Sequence, residues 1–257
     1  MFVFLLLNNK LNLIMIRSGN PALSKKTFEN LKATSNEVMT LDGAVNKTAI
    51  SMGILLLSAY YTYSNAIMNY VIIGFVGGFI VALITIFKKE WSPTTVPIYA
   101  FLEGLALGGI SKIYADAFEP GIVPQAIMLT LGILFALLFA YKSKIIRATE
   151  NFKLGIFAAT AGIGVVYLVS FLMSMFGSGG LPVINPSNSS MLSIGFSLFV
   201  VVIASLNLVM DFDFIEEGAS NGAPKYMEWY GAFGLLVTLI WLYLEILRLL
   251  AKLSSRR

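Results

Sequence analysis

The chain has 257 residues, of which 57% are hydrophobic and only 12% charged, with a net charge of +4. That charged fraction is about half that of an ordinary globular domain, which excludes a soluble protein and points to a polytopic helical membrane protein whose main partner is the lipid bilayer. With neither cysteine nor histidine, the chain lacks Ser–His and Cys–His nucleophiles, histidine-held zinc or haem, and disulfides. Any metal site must then be built from oxygens, which suits calcium or magnesium.

The positive charge needs no nucleic acid to explain it, because lysine and arginine gather beside membrane spans. Glycine (22 residues) and aromatic residues (13%) are abundant, as close helix packing and interfacial anchoring require. No resident cofactor and no enzymatic activity are expected.

Residues 1–7 are apolar but too few to span, and no small-residue cleavage motif follows, so no signal peptide is predicted. Met15 is an alternative start that would make residues 1–14 an over-long beginning. Residues 20–47, with Pro21 and several lysines, read as a polar cytoplasmic tail carrying a short helix. A membrane domain at 48–253 and a basic tail at 254–257 complete the layout.

Seven apolar segments are predicted, at about 48–64, 66–87, 97–118, 121–141, 154–176, 191–210 and 229–252. The breaks carry turn or charge signals, among them Lys88–Glu90 with Pro93, the basic run 142–153, the Gly/Pro/Ser/Asn stretch 177–190 and an acidic loop after Met210. The weakest break is Ser64-Asn65; fusing the segments on either side would leave six spans. Lys47, Lys88, Lys89, Lys142, Lys144, Arg147, Lys153 and Lys225 all fall on one side if the N-terminus is inside, and the intervening outer loops hold no basic residue. This asymmetry predicts a multi-pass membrane protein with its N-terminus cytoplasmic and, for seven spans, its C-terminus outside.

Small residues four apart at Gly74/Gly78, Gly104/Gly108, Gly155/Ala159 and Ala158/Gly162 predict close helix packing. No internal repeat signals an inverted-repeat transporter.

The charged positions carry the functional expectation. Asp211 ends the sixth apolar segment, and Asn207 lies one turn earlier on the same face. Polar groups on one stripe of a membrane helix usually face a bundle interior or an aqueous cavity. Asp213, Glu216 and Glu217 read as interfacial acids. Glu103 lies in the third segment, either near the inner interface or as a buried acid; Lys112 falls on the opposite helical face and can snorkel.

Glu245 in the seventh segment has two available partners. One is Arg248, three positions on; the other is Asp211 or Asn207 on the preceding helix. Two carboxylates sharing a dry site cannot both ionise easily, so such a pair would titrate as a unit and act as a proton-controlled latch. Direct contact requires the seventh helix to be shifted or tilted, because Asp211 starts near the inner face and Glu245 lies toward the outer half. Asp211 is also the candidate ligand for a passing calcium ion.

The run NLVMDFDFIEEGASNGAPKYMEWYGAFGLLVTLIWLYLEILRLL, together with NPALSKKTF and EGLALGGIS, resembles the Bax inhibitor-1/YccA family in its bacterial branch. The resemblance extends from Met15 to about Leu253. It implies an all-α bundle of seven transmembrane helices with a central last helix. It also implies a pH-sensitive calcium leak in which acidic residues on the last two helices couple protonation to opening. Asp211, in MDFDFI, matches the family's first aspartate; Glu245, in LYLEIL, is the nearest counterpart of the second, with glutamate in place of aspartate. The alternative implied by the resemblance is a non-transporting regulator that binds a membrane-bound protease or another membrane partner through its tail.

Overall fold

Thr40 starts the first helix: its hydroxyl accepts a hydrogen bond from the Gly43 amide at 3.0 Å, satisfying one of the free N–H groups of the opening turn. The computed structural model describes residues 38–119, 121–177 and 179–256. The short apolar start, Met15 and the tail up to residue 37 lie outside the described residues, as do Pro120 and Arg257.

Seven long helices follow one another among the described residues: α1 Leu41–Asn65, α2 Asn69–Phe87, α3 Ser92–Ala117, α4 Ile122–Lys142, α5 Glu150–Met175, α6 Met191–Ser220 and α7 Met227–Ser254. Six of them, α2 to α7, are long and apolar enough to cross a membrane. At 25 residues α1 has the length, but Asp42, Asn46, Lys47 and Thr48 occupy its first two turns. The weak junction between the first two segments is a real break. Ala66 takes a left-handed φ of 51° and its amide caps α1 by bonding the Thr62 and Tyr63 carbonyls.

Two predicted boundaries move furthest. The first segment, expected from about residue 48, begins at Leu41 because Thr40 and Glu228 together satisfy the helix start. The sixth, expected to end at Met210 in an acidic loop, continues to Ser220. The acids do not end it because Asp213 and Glu216 find partners on α4 and α5, leaving the backbone no reason to leave the helix.

α7 packs against α1, α3, α4 and α6, whereas α5 packs chiefly on α6. Two of the small-residue pairs make the close approaches expected of them. A Cβ on Gly104 would lie 2.4 Å from the Leu55 carbonyl oxygen, and one on Gly108 would lie 2.1 Å from that of Ala59, so α1 and α3 are in backbone contact. Gly74 does the same between α2 and α3, at 2.4 Å from the Leu102 carbonyl oxygen, whereas Gly78 makes room for the Glu103 side chain. Gly155 and Gly162 do not: both face open space, and α5 instead buries Lys153, Ile156, Ile163 and Ser170.

Alternating helix directions bring the start of α1, α3, α5 and α7 to one end of the bundle. There the Met39 amide bonds the Ala223 carbonyl at 2.7 Å, Ser92 Oγ bonds the Tyr226 carbonyl at 2.8 Å, and Lys153 pairs with Asp213. At the opposite end, Lys252 reaches the start of α6 and the short turn Pro182–Ile184.

Candidate functional site

α6 is packed on α7 along most of its length, so a polar residue on the shared face is removed from solvent whatever its chemistry. Asp211 lies there, 0% exposed, and neither carboxylate oxygen has a hydrogen-bond partner among the described residues. Thr238 of α7, itself buried, lies against it without hydrogen-bonding geometry. Asn207, one turn away, is also buried. Its amide donates to Thr160 Oγ1 of α5 at 2.9 Å and to the Ile203 carbonyl at 2.8 Å, while its own Oδ1 has no partner among the described residues. Three acceptor oxygens on two adjacent turns are thus buried and unsatisfied. Most buried polar atoms are paired, so such a cluster is a local cost retained in the middle of a packed interface.

Glu245 does not meet Asp211. Its carboxylate accepts two bonds of 2.7 Å from Arg248, one of 2.7 Å from the Tyr167 hydroxyl and one of 3.2 Å from the Trp241 indole. The Arg248 guanidinium also donates to Tyr167 at 2.7 Å and stacks 5.2 Å from its ring centre. Of the two partners open to Glu245, the structure selects the local one, which corrects the expectation of a shared two-carboxylate site. The reason is depth: Asp211 is level with Thr238, and seven residues of helix separate Thr238 from Glu245, about 10 Å at 1.5 Å per residue. Without a shift or tilt of α7 to close that gap, the nearest complementary charge is the arginine one turn away.

The other acids have separate roles. Asp213 is bound by Lys153 and lies 3.5 Å from the Tyr141 hydroxyl, which also donates to Glu216. These contacts staple the ends of α4 and α6 to the start of α5. Glu103, half-buried on α3, lies against Gly78 of α2, where a Cβ would approach its Oε1 to 2.6 Å; it makes no hydrogen bond among the described residues. Among those residues no group of three or more acidic side chains converges as a metal cage.

Two further charged sites were not visible in the sequence. Glu228 is buried and accepts from the Thr40 amide at 3.0 Å, the Thr40 hydroxyl at 2.9 Å and Lys225 Nζ at 2.9 Å, joining the starts of α1 and α7. Gly43 makes room for it, since a Cβ there would fall 1.9 Å from Glu228 Oε1. Lys252, fully buried, donates to the Val183 carbonyl, the Ser193 carbonyl at 3.1 Å and Ser197 Oγ at 2.8 Å, so all three of its protons are used on neutral oxygens. Read along the chain, Glu228 passes for a first-turn acid and Lys252 for part of a basic tail; only the helix pairing reveals their partners.

Compared with known proteins, residues 20–255 match the family model described as Bax inhibitor 1 like. Among curated proteins there is no significant match.

Proposed function

Because the chain belongs to the Bax inhibitor 1 like family, we propose that it is a passive, pH-modulated cation leak in which Asp211 is the proton-responsive group and calcium the cargo. The observation that carries this reading is the complete burial of Asp211 with both oxygens unpaired. An ionised carboxylate in that position is expensive unless a proton or a cation joins it. Protonation and cation binding then compete for the same oxygens, and the winner decides how closely α6 and α7 sit. Carboxylate, amide and hydroxyl oxygens are the ligands a hard cation accepts, and Asn207, Thr160 and Thr238 supply the neutral ones beside Asp211. Glu245 has a different part: clamped by Arg248, Tyr167 and Trp241, it fixes the far half of α7 against α5, so that movement is confined to the Asp211 half.

All seven helices span in this reading, with α1 tolerated because its polar first turns lie at the basic end of the bundle. That end collects Lys47, Lys89, Lys142, Lys153 and Lys225 and faces the cytoplasm under the positive-inside rule, in a bacterial inner membrane of the YccA-like branch.

The test is calcium flux into liposomes loaded with an indicator dye. Wild-type protein should leak in a pH-dependent way, and Asp211→Asn should leak at a rate that no longer responds to pH. Absence of flux at every pH, or flux whose pH response survives Asp211→Asn, would reject the reading.

A second reading, a regulator that grips a membrane protease or another partner by its tail, draws support from one place. Met39 and Thr40 are bonded to Ala223 and Glu228, so force on the tail acts directly on the α6–α7 turn. Deleting residues 20–36 should then abolish the effect on a partner while leaving the calcium flux unchanged.

A further inference from the structure

α1 and α4 flank α7 but are not packed on each other, and the gap between them is a cleft of about 420 Å³ floored by α3 and α7. Its walls are almost wholly apolar: Met52, Leu55 and Ala59 of α1 face Ile127 and Leu131 of α4 across Leu239 of α7. The size falls within the about 300–1,000 Å³ typical of small-ligand sites, which are likewise apolar with a few placed polar groups.

Apart from Thr130, whose hydroxyl donates to the Ala126 carbonyl of its own helix, the polar groups are at one end. Ser111 Oγ and the Tyr243 hydroxyl are 2.6 Å apart there, beside Tyr63. That end coincides with helix ends, because α1 finishes at Asn65 and α4 starts at Ile122, next to the lining residues Val123 and Pro124. From Tyr63 back to Met52 the cleft runs along eleven residues of α1, about 16 Å at 1.5 Å per residue. This is roughly half the 30 Å hydrocarbon thickness of a bilayer, the depth of a single leaflet. The rim is continuous with lipid-facing surface, since Leu56 and Tyr60 line the cleft and are exposed, as is Met128 on α4.

From this match of length, polarity and opening, we infer that the cleft is a phospholipid site that takes one acyl chain from the leaflet in which α1 ends. The chain lies between α1 and α4, and the ester region of the lipid meets the hydroxyls of Tyr63, Ser111 and Tyr243. The tail of this lipid completes the packing of α7 on a side where no helix covers it. The site is independent of Asp211, which lies on α6 against Thr238 of α7 and is not among the residues lining the cleft.

Native mass spectrometry of the full chain, extracted from phospholipid membranes into mild detergent, tests this. Wild-type protein should retain one phospholipid per chain. Ala59→Trp and Ile127→Trp, each of which fills the cleft, should lose that adduct, whereas Leu168→Trp, on the exposed face of α5, should keep it. Thermal unfolding in the same detergent identifies a filled variant that has failed to fold, and the other then decides. The inference is overturned if wild-type protein carries no adduct, if the adduct is a free fatty acid, or if a folded cleft-filled variant retains the phospholipid.

Discussion

Asp211 and Glu245 are both buried acids, yet their energetics are opposite. Glu245 has a guanidinium, a phenol and an indole around it, so removing Arg248 leaves a buried charge uncompensated. Arg248→Ala should cost about 3–5 kcal/mol in unfolding free energy, and Glu245→Gln combined with Arg248→Met should recover most of it. Asp211 has nothing comparable to lose. Replacing it with leucine removes two unsatisfied oxygens and should stabilise the protein by about 1–3 kcal/mol while abolishing the pH response of flux. A lower midpoint for Asp211→Leu in detergent melts would mean the carboxylate is structurally supported after all. The sequence made Asp211 and Asn207 conspicuous, because two polar residues one turn apart interrupt an apolar run. It left Glu245 with two available partners because choosing between them needs the relative depth of α6 and α7, which no local pattern contains.

At the scale of the helices, glycine spacing alone did not separate packing from chance. Gly104 and Gly162 both sit in small-residue pairs, but only Gly104 meets another backbone. Gly104→Ala should therefore push α1 away from α3 and sharply reduce the yield of folded protein. Gly162→Ala, with open space around it, should be neutral or raise stability by up to about 1 kcal/mol through helix propensity. Equal losses for the two variants, by size-exclusion yield and thermal midpoint, would contradict the packing described. Gly43→Ala provides a third case: it drives Glu228 from the start of α1 and should cost at least the about 1 kcal/mol value of a helix cap. Helix number and order were legible in the sequence because long apolar runs are hard to mistake. The extents of α1 and α6 were not, because Thr40 and Asp213 owe their places to Glu228 and Lys153, which are remote in the chain.

Across the whole molecule, Lys47 of α1, Lys142 of α4 and Lys153 of α5 collect where α1, α3, α5 and α7 begin, Lys112 of α3 lies toward the other end, and Lys252 closes that end on neutral oxygens. If all seven helices cross the bilayer, reporters fused to the two termini report opposite sides; both on one side would mean that α1 lies at the interface and six helices span. Either layout keeps Asp211 between α6 and α7, remote from the lipid cleft and from the clamp on Glu245. The account rests on that carboxyl exchanging a proton inside the bundle. Infrared difference spectroscopy of the reconstituted protein across a pH titration observes the event itself. A protonated-carboxyl C=O band that appears and vanishes over the interval in which calcium flux changes, and is absent from Asp211→Asn, is the predicted result. A spectrum with no such band, or one that Asp211→Asn leaves intact, would contradict it.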